Sequence, residues 1–156
     1  MKIYIGNKEN YSSFELLQKA YRIRYGEIIS QEDIITNSNG KPYFKNPDMP
    51  YFNISHSGNY VACVFDKIEV GLDIQKIKKI PEKVVELYLH TKSEDPVQQT
   101  MEWTKFESYG KLKGTGIPPE DDFAQGLFKS STAQDGYIVT LCTKNENDQA
   151  IELVYI

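Results

Sequence analysis

Histidine and cysteine are scarce: His56, His90, Cys63 and Cys142 are all that 156 residues contain. No C-x-x-C pair and no Cys/His spacing suited to zinc occurs, so a classical zinc site is excluded. Each cysteine stands in an apolar stretch, "YVACVFD" or "YIVTLCTK", where a small buried thiol is the ordinary state, and a reducing cytoplasm fits that usage. A surplus of positive charge is lacking too. The net charge of -4 excludes a general nucleic-acid binder, because neutralising phosphates takes an excess of Lys and Arg; any anion site must be local. No apolar run is long enough to span a bilayer, and "MKIYIGNKEN" is too short in apolar residues for a signal peptide. A cytoplasmic protein with no membrane partner is expected. There is no G-x-S-x-G elbow, no aromatic ladder interleaved with basic residues, no internal repeat and no low-complexity tract.

What is present suffices for a core. With 40% hydrophobic and 26% charged residues, positions 1–156 read as one domain. "KIYI" predicts a strand, and "SSFELLQKAYRIRYG" a helix with Phe14, Leu17, Tyr21 and Tyr25 at helical spacing, a Ser cap and a closing Gly26. "TNSNGKPYFKNPDMP" is dense in Asn, Gly and Pro and predicts a long ordered loop. "YFNIS", "YVACVFD" and "EVGLDI" follow closely and predict an antiparallel meander. "PEKVVELYLH" predicts a short helix, and a longer one starts at the Asp95 cap and Pro96 and runs to Gly114. Past "TGIPPEDD", the strands "FAQGLFK", "GYIVTLCT" and "AIELVYI" are expected, with turns at "QDG" and "NENDQ". The fold class is α+β, antiparallel strands with helices packed on one face.

Several residues are candidates for chemistry. Asp73 interrupts "EVGLDI", and a strand of buried types rarely keeps an unpaired acid; it is either a strand-end turn former or a ligand of a hard cation such as Mg²⁺. Glu107 shares a helix face with Trp103, Thr104 and Lys111, and the plain reading of Glu107 with Lys111 is an exposed pair worth ~0.2–0.5 kcal/mol. His56 lies in "NISHSGN", a turn histidine or, with Ser55, Ser57 and backbone donors, part of a phosphate-binding concavity. Lys41, held between Gly40 and Pro42, is a solvated loop lysine or an ammonium aimed at an anion. "QKIKK" is a solvated face or a patch for an acidic partner. His90 has no companion at ligand spacing and reads as structural, and Trp103 reads as packing.

Taken in order, "GKP", "FNISHSGNYV", "VGLDIQ" and "EWTKFESYGKLKGTG" resemble the Sfp-type 4′-phosphopantetheinyl transferases. The match covers residues 40 to 116, and the tail "GYIVTLC…IELVYI" is similar to the closing strands of that family. The resemblance implies a pseudo-dimeric fold of two similar halves, here with a shortened N-terminal half. It implies transfer of phosphopantetheine from coenzyme A to a serine of an acyl or peptidyl carrier protein. By the same resemblance Asp73 and Glu107 are Mg²⁺ ligands, and Gln75 stands where many members carry a third acid. Lys41, Ser55 and His56 match residues near the coenzyme A phosphates, Lys111 faces the pyrophosphate, and Glu107 is the candidate base. The alternative is a reduced member that binds coenzyme A or a carrier protein without efficient turnover. The chain departs from the pattern at Gln75 and at Phe106, with Lys105 one position early and so rotated about 100° around the helix. Before the GKP turn its basic residues are Lys2, Lys8, Lys19, Arg22 and Arg24. A monomer is expected, with a dimer as the alternative if the short half leaves apolar surface exposed.

Overall fold

Ser12 and Glu15 form a capping box that starts the first helix. The Ser12 hydroxyl accepts from the Glu15 N–H at 3.3 Å, and the Glu15 carboxylate accepts from the Ser12 N–H at 2.8 Å. In the computed structural model, which describes residues 1–89, 91–116, 126–144 and 150–156, this helix is α1 (Ser13–Tyr25). Its buried stripe is Leu16, Leu17, Ala20 and Tyr21, rotated from the expected face: Phe14 is half-buried and Tyr25 exposed.

β1 (Lys2–Asn7), β4 (Tyr51–Ser57), β5 (Tyr60–Asp66) and β9 (Glu152–Tyr155) form one sheet in the order β4-β5-β1-β9. β2 (Ile34–Thr36) and β3 (Pro42–Phe44) make a small antiparallel pair, β2 leading into the expected loop and β3 lying within it. β6 (Val70–Lys76), β7 (Leu127–Ala133) and β8 (Tyr137–Thr143) form a second sheet in the order β6-β8-β7. α2 (Glu82–Tyr88), α3 (Pro96–Lys113) and short 3-10 turns at Gln31–Asp33 and Gln134–Gly136 complete the described elements. α3 starts at the Asp95 cap, which accepts from the Val97 N–H at 3.1 Å, and ends at Gly114, as the sequence predicts.

Three expectations need correction. The meander stops after β5: β6 pairs instead with β8, Asp73 lying opposite Thr140. Val70, Leu72 and Ile74 pack on Ile3, Ile5, Ala62 and Val64 of the first sheet. A strand apolar on that scale gains more by covering a neighbouring sheet face than by extending its edge. The helices do not share one face either. α1 covers the first sheet through Tyr4, Cys63 and Phe65, whereas α3 covers the second through Tyr109, Leu112 and Cys142. The layer order is α1, first sheet, second sheet, α3. Finally, β9 runs parallel to β1, Ile3 lying opposite Leu153, so the pairing is not wholly antiparallel.

Both cysteines are free and buried, as expected. β7 runs Leu127–Ala133, past the expected end at Lys129, and the expected start at Phe123 lies outside the described residues. His90 and the "NENDQ" turn lie outside the described residues. Among those described, no helix is long and apolar enough to cross a membrane.

Candidate active site

β4 and β6 are edge strands of different sheets, and side chains rather than a backbone ladder join them. Asn53 Oδ1 accepts from the Leu72 N–H at 3.0 Å, Ser55 Oγ from the Ile74 N–H at 3.2 Å, and Ser57 Oγ from the Lys76 N–H at 3.2 Å. The alternation of small polar residues in "FNISHS" thus meets every second N–H of β6 and satisfies donors that burial would otherwise orphan.

The other face of β6 is laid against α3. A Cβ at Gly71 would stand 1.9 Å from the Ser108 carbonyl oxygen and 2.6 Å from the Leu112 nitrogen, so only glycine lets the helix backbone rest there. Two residues on, the same face presents Asp73 to α3. The Thr104 and Thr140 hydroxyls meet at 2.6 Å, and Ser130 reaches Thr140 at 2.8 Å, fixing the helix on the opposite strand.

At this seam Asp73 is only 5% exposed. Lys111 Nζ donates to Asp73 Oδ1 at 2.6 Å and to Ser55 Oγ at 2.7 Å, and the Ser55 hydroxyl donates to Asp73 Oδ1 at 2.7 Å. Ser55 therefore uses its one donor and both acceptor positions. Asp73 Oδ2 is buried with no hydrogen-bond partner. Burial pushes the Asp73 carboxyl above its ordinary range, while Lys111 and Ser55 pull it back. Glu107, one helical turn before Lys111, is also held above its ordinary range, by burial first and by the Asp73 charge second. The plain helix pair is corrected: Lys111 leaves Glu107 and reaches across to Asp73.

Of these groups Glu107 and Lys111 line a cleft of about 310 Å³ between the GKP turn and α3, with Gly40, Lys41 and Asn53 among its other walls. Lys41 is on its wall, but its ammonium donates to the Leu112 carbonyl at 2.7 Å, near the C-terminal end of α3, where a cation is favoured. Burial lowers its pKa.

Known proteins match this chain along much of its length. It is 35% identical over 116 residues to 4′-phosphopantetheinyl transferase Sfp of Bacillus subtilis (strain 168), covering 66% of this chain and 49% of that protein. It is 34% identical over 128 residues to 4′-phosphopantetheinyl transferase gsp of Aneurinibacillus migulanus, covering 73% and 53%. The chain is a relative of the Sfp-type 4′-phosphopantetheinyl transferases. A third match, psf-1 of Bacillus pumilus, is 28% identical over 131 residues, covering 78% and 53%. The chain spans about half the length of the curated relatives it matches. No protein-family model matches it.

Of the residues singled out from the sequence, Asp73, Glu107, Lys111 and Ser55 come together. Gln75 lies on the Asp73 face of β6, half-buried. His56 points to the opposite side of β4 from Ser55 and is exposed. Lys105 is drawn into an ion pair with Glu102 at 2.7 Å, and Phe106 is buried with Ile80 and Leu89 while stacking on Trp103. Sequence reasoning missed the joining role of Asn53 and Ser57 and the Thr104–Thr140 contact. The period-two run of polar residues in "NISHS" was the available signal for the former.

A divalent cation is implied by the family, and the donor set can be tested for it. No three His, Cys, Asp or Glu residues cluster as a metal site among the described residues. The set is two carboxylates and one amide. The Lys111 ammonium serves Asp73 Oδ1 alone, and a hard ion held by two carboxylates and completed by ligand phosphates would serve the unpartnered Oδ2 and relieve the repulsion of Asp73 and Glu107. The residues fit Mg²⁺.

Proposed function

We propose that this protein transfers the 4′-phosphopantetheine group of coenzyme A to a serine of an acyl or peptidyl carrier protein. The observation that carries the reading is the convergence of Asp73, Glu107 and Lys111, from two elements far apart in sequence, beside a cleft of about 310 Å³. In the proposed step the serine oxygen bonds to the phosphorus next to the pantetheine arm, and that phosphorus loses its bond to the bridging oxygen of the pyrophosphate. Adenosine 3′,5′-bisphosphate leaves with the bond electrons. Glu107, its proton affinity raised by burial and by Asp73, takes the serine proton. Lys111 meets the charge growing on the leaving phosphate. Asp73 and Glu107, with the Gln75 amide, would hold Mg²⁺, which neutralises the pyrophosphate. Ser55 acts by fixing Asp73 Oδ1, and Lys41 on the cleft wall and the exposed His56 are assigned to the nucleotide phosphates.

Two finer readings go with this one. The layers α1 with the first sheet and α3 with the second, meeting at β4 and β6, are taken as the halves of a pseudo-dimer. Residues 1–156 are taken as one domain, because β9 returns to pair with β1.

The test is intact-mass measurement of apo carrier proteins incubated with the protein, coenzyme A and Mg²⁺. A phosphopantetheine-sized gain that disappears with Asp73→Ala is expected. No gain on acyl or peptidyl carriers, with coenzyme A binding intact by calorimetry, would replace the transferase by a binding module.

A further inference from the structure

Lys111 is engaged in a way its proposed role does not need. Its ammonium lies on Asp73 Oδ1 and Ser55 Oγ, at 2.6 and 2.7 Å, inside the seam between β4 and β6. A lysine that meets a phosphate has to present its charge to the cleft, whose wall it shares with Glu107. Asp73 is half served: Oδ1 has two partners, whereas Oδ2 is buried with none. The arrangement is that of a cation site filled from one side by a monovalent substitute.

We infer that Lys111 is a stand-in cation for Asp73, displaced when a divalent metal binds, and that this exchange delivers its ammonium to the cleft. The inference rests on the metal reading proposed above. Three features carry it. A buried carboxylate without a cation is costly, so one must be present when the metal is not. A divalent ion and an ammonium on the same carboxylate repel each other strongly, so both do not stay. The Lys111 side chain is 30% exposed on a flexible four-carbon stem, whereas Asp73 is fixed by its strand, so the lysine is the partner that moves. Ser55 stays behind, its hydroxyl still donating to Asp73. Metal arrival and the availability of the phosphate-facing lysine are thereby one event.

The experiment uses Mn²⁺ alone, followed by the electron paramagnetic resonance of the free ion at about pH 8, without nucleotide. Wild type, Lys111→Met, Lys111→Arg and Asp73→Asn are compared. If the lysine leaves Asp73 in roughly one molecule in ten, Lys111→Met binds Mn²⁺ roughly tenfold more tightly than wild type. Lys111→Arg binds no more tightly, and Asp73→Asn loses the site. In the wild type, the Lys111 ammonium nitrogen resonance, assigned by its loss in Lys111→Arg, shifts on adding Mg²⁺, a readout independent of how well Lys111→Met folds. Equal or weaker Mn²⁺ binding by Lys111→Met, with binding still dependent on Asp73, overturns the exchange and leaves the metal reading standing. An ammonium resonance unmoved at saturating Mg²⁺ does the same. No Asp73-dependent binding in wild type or Lys111→Met, with or without coenzyme A, removes both.

Discussion

Gly71→Ala tests the physical basis of the site without touching any group proposed to react. The new methyl would stand 1.9 Å from the Ser108 carbonyl oxygen and 2.6 Å from the Leu112 nitrogen, both backbone atoms of α3 that no rotamer change can move. Restoring ordinary contact requires the helix to retreat from β6 by about 1.5 Å, in an interior packed as densely as a crystal. Tyr109 and Leu112, both essentially fully buried, lose contacts in that retreat. We expect a loss of about 3 kcal/mol, the upper end of ordinary overpacking. With a urea dependence of about 2 kcal/mol per molar for a chain of this size, the unfolding midpoint falls by about 1.5 M. Gly40→Ala is the control: its φ is +82° and no atom lies within 4 Å of the added Cβ, so it meets only backbone strain, about 1–2 kcal/mol. The same retreat carries Lys111 away from Asp73 and lowers transferase turnover in the folded fraction. A Gly71→Ala midpoint equal to that of Gly40→Ala, or higher, would refute the close-packing argument.

Further outcomes follow from the same geometry. Ser55→Ala orphans the Ile74 N–H and strips one donor from Asp73, and should cost about 1–3 kcal/mol by urea unfolding; Ser57→Ala, nearer solvent, should cost less. Glu107 has a folded pKa raised above its unfolded value, so its contribution to stability is present at low pH and is lost as pH rises through the folded pKa. Glu107→Gln should therefore stabilise the metal-free protein, more at about pH 8 than at about pH 5; a gain that shrinks with rising pH contradicts this assignment. Because Gln75 supplies no charge, Mg²⁺ binding should tighten markedly with coenzyme A present, and Gln75→Glu should narrow the gap; equal affinity with and without the nucleotide contradicts it. Burial drives the Cys142 thiol up to about 12 and Cys63 higher still, so neither should react with a thiol-selective disulfide reagent at about pH 8 unless the protein unfolds.

Local rules were enough for the elements whose signals are local. The Ser cap and Gly26 of α1, and the Asp95 cap and Gly114 of α3, placed the helix ends, because capping depends on residues within one turn. The seam between the sheets was not legible in the same way. That β6 turns from β5 to pair with β8 depends on which apolar faces meet over long range, and "EVGLDI" carries the same residues in either arrangement. Asp73, Glu107 and Lys111 could be suspected singly from their chemistry and jointly only from the family motifs. That Lys111 crosses to Asp73, and that Ser55 is sealed behind both, follows from the close approach of the α3 backbone that only glycine at position 71 permits. Lys41 shows the converse: the turn around it was legible, but the Leu112 carbonyl that holds its ammonium belongs to a helix seventy residues on.

The most direct test of the central claim is the initial rate of carrier-protein mass conversion by Asp73→Asn, Glu107→Gln and the double variant, each with coenzyme A and Mg²⁺. If the two carboxylates serve one site, each single substitution lowers the rate by roughly 100-fold or more, and the double variant is scarcely slower than the worse single one. Single variants that retain near wild-type rates, or losses that multiply in the double variant, would contradict the account.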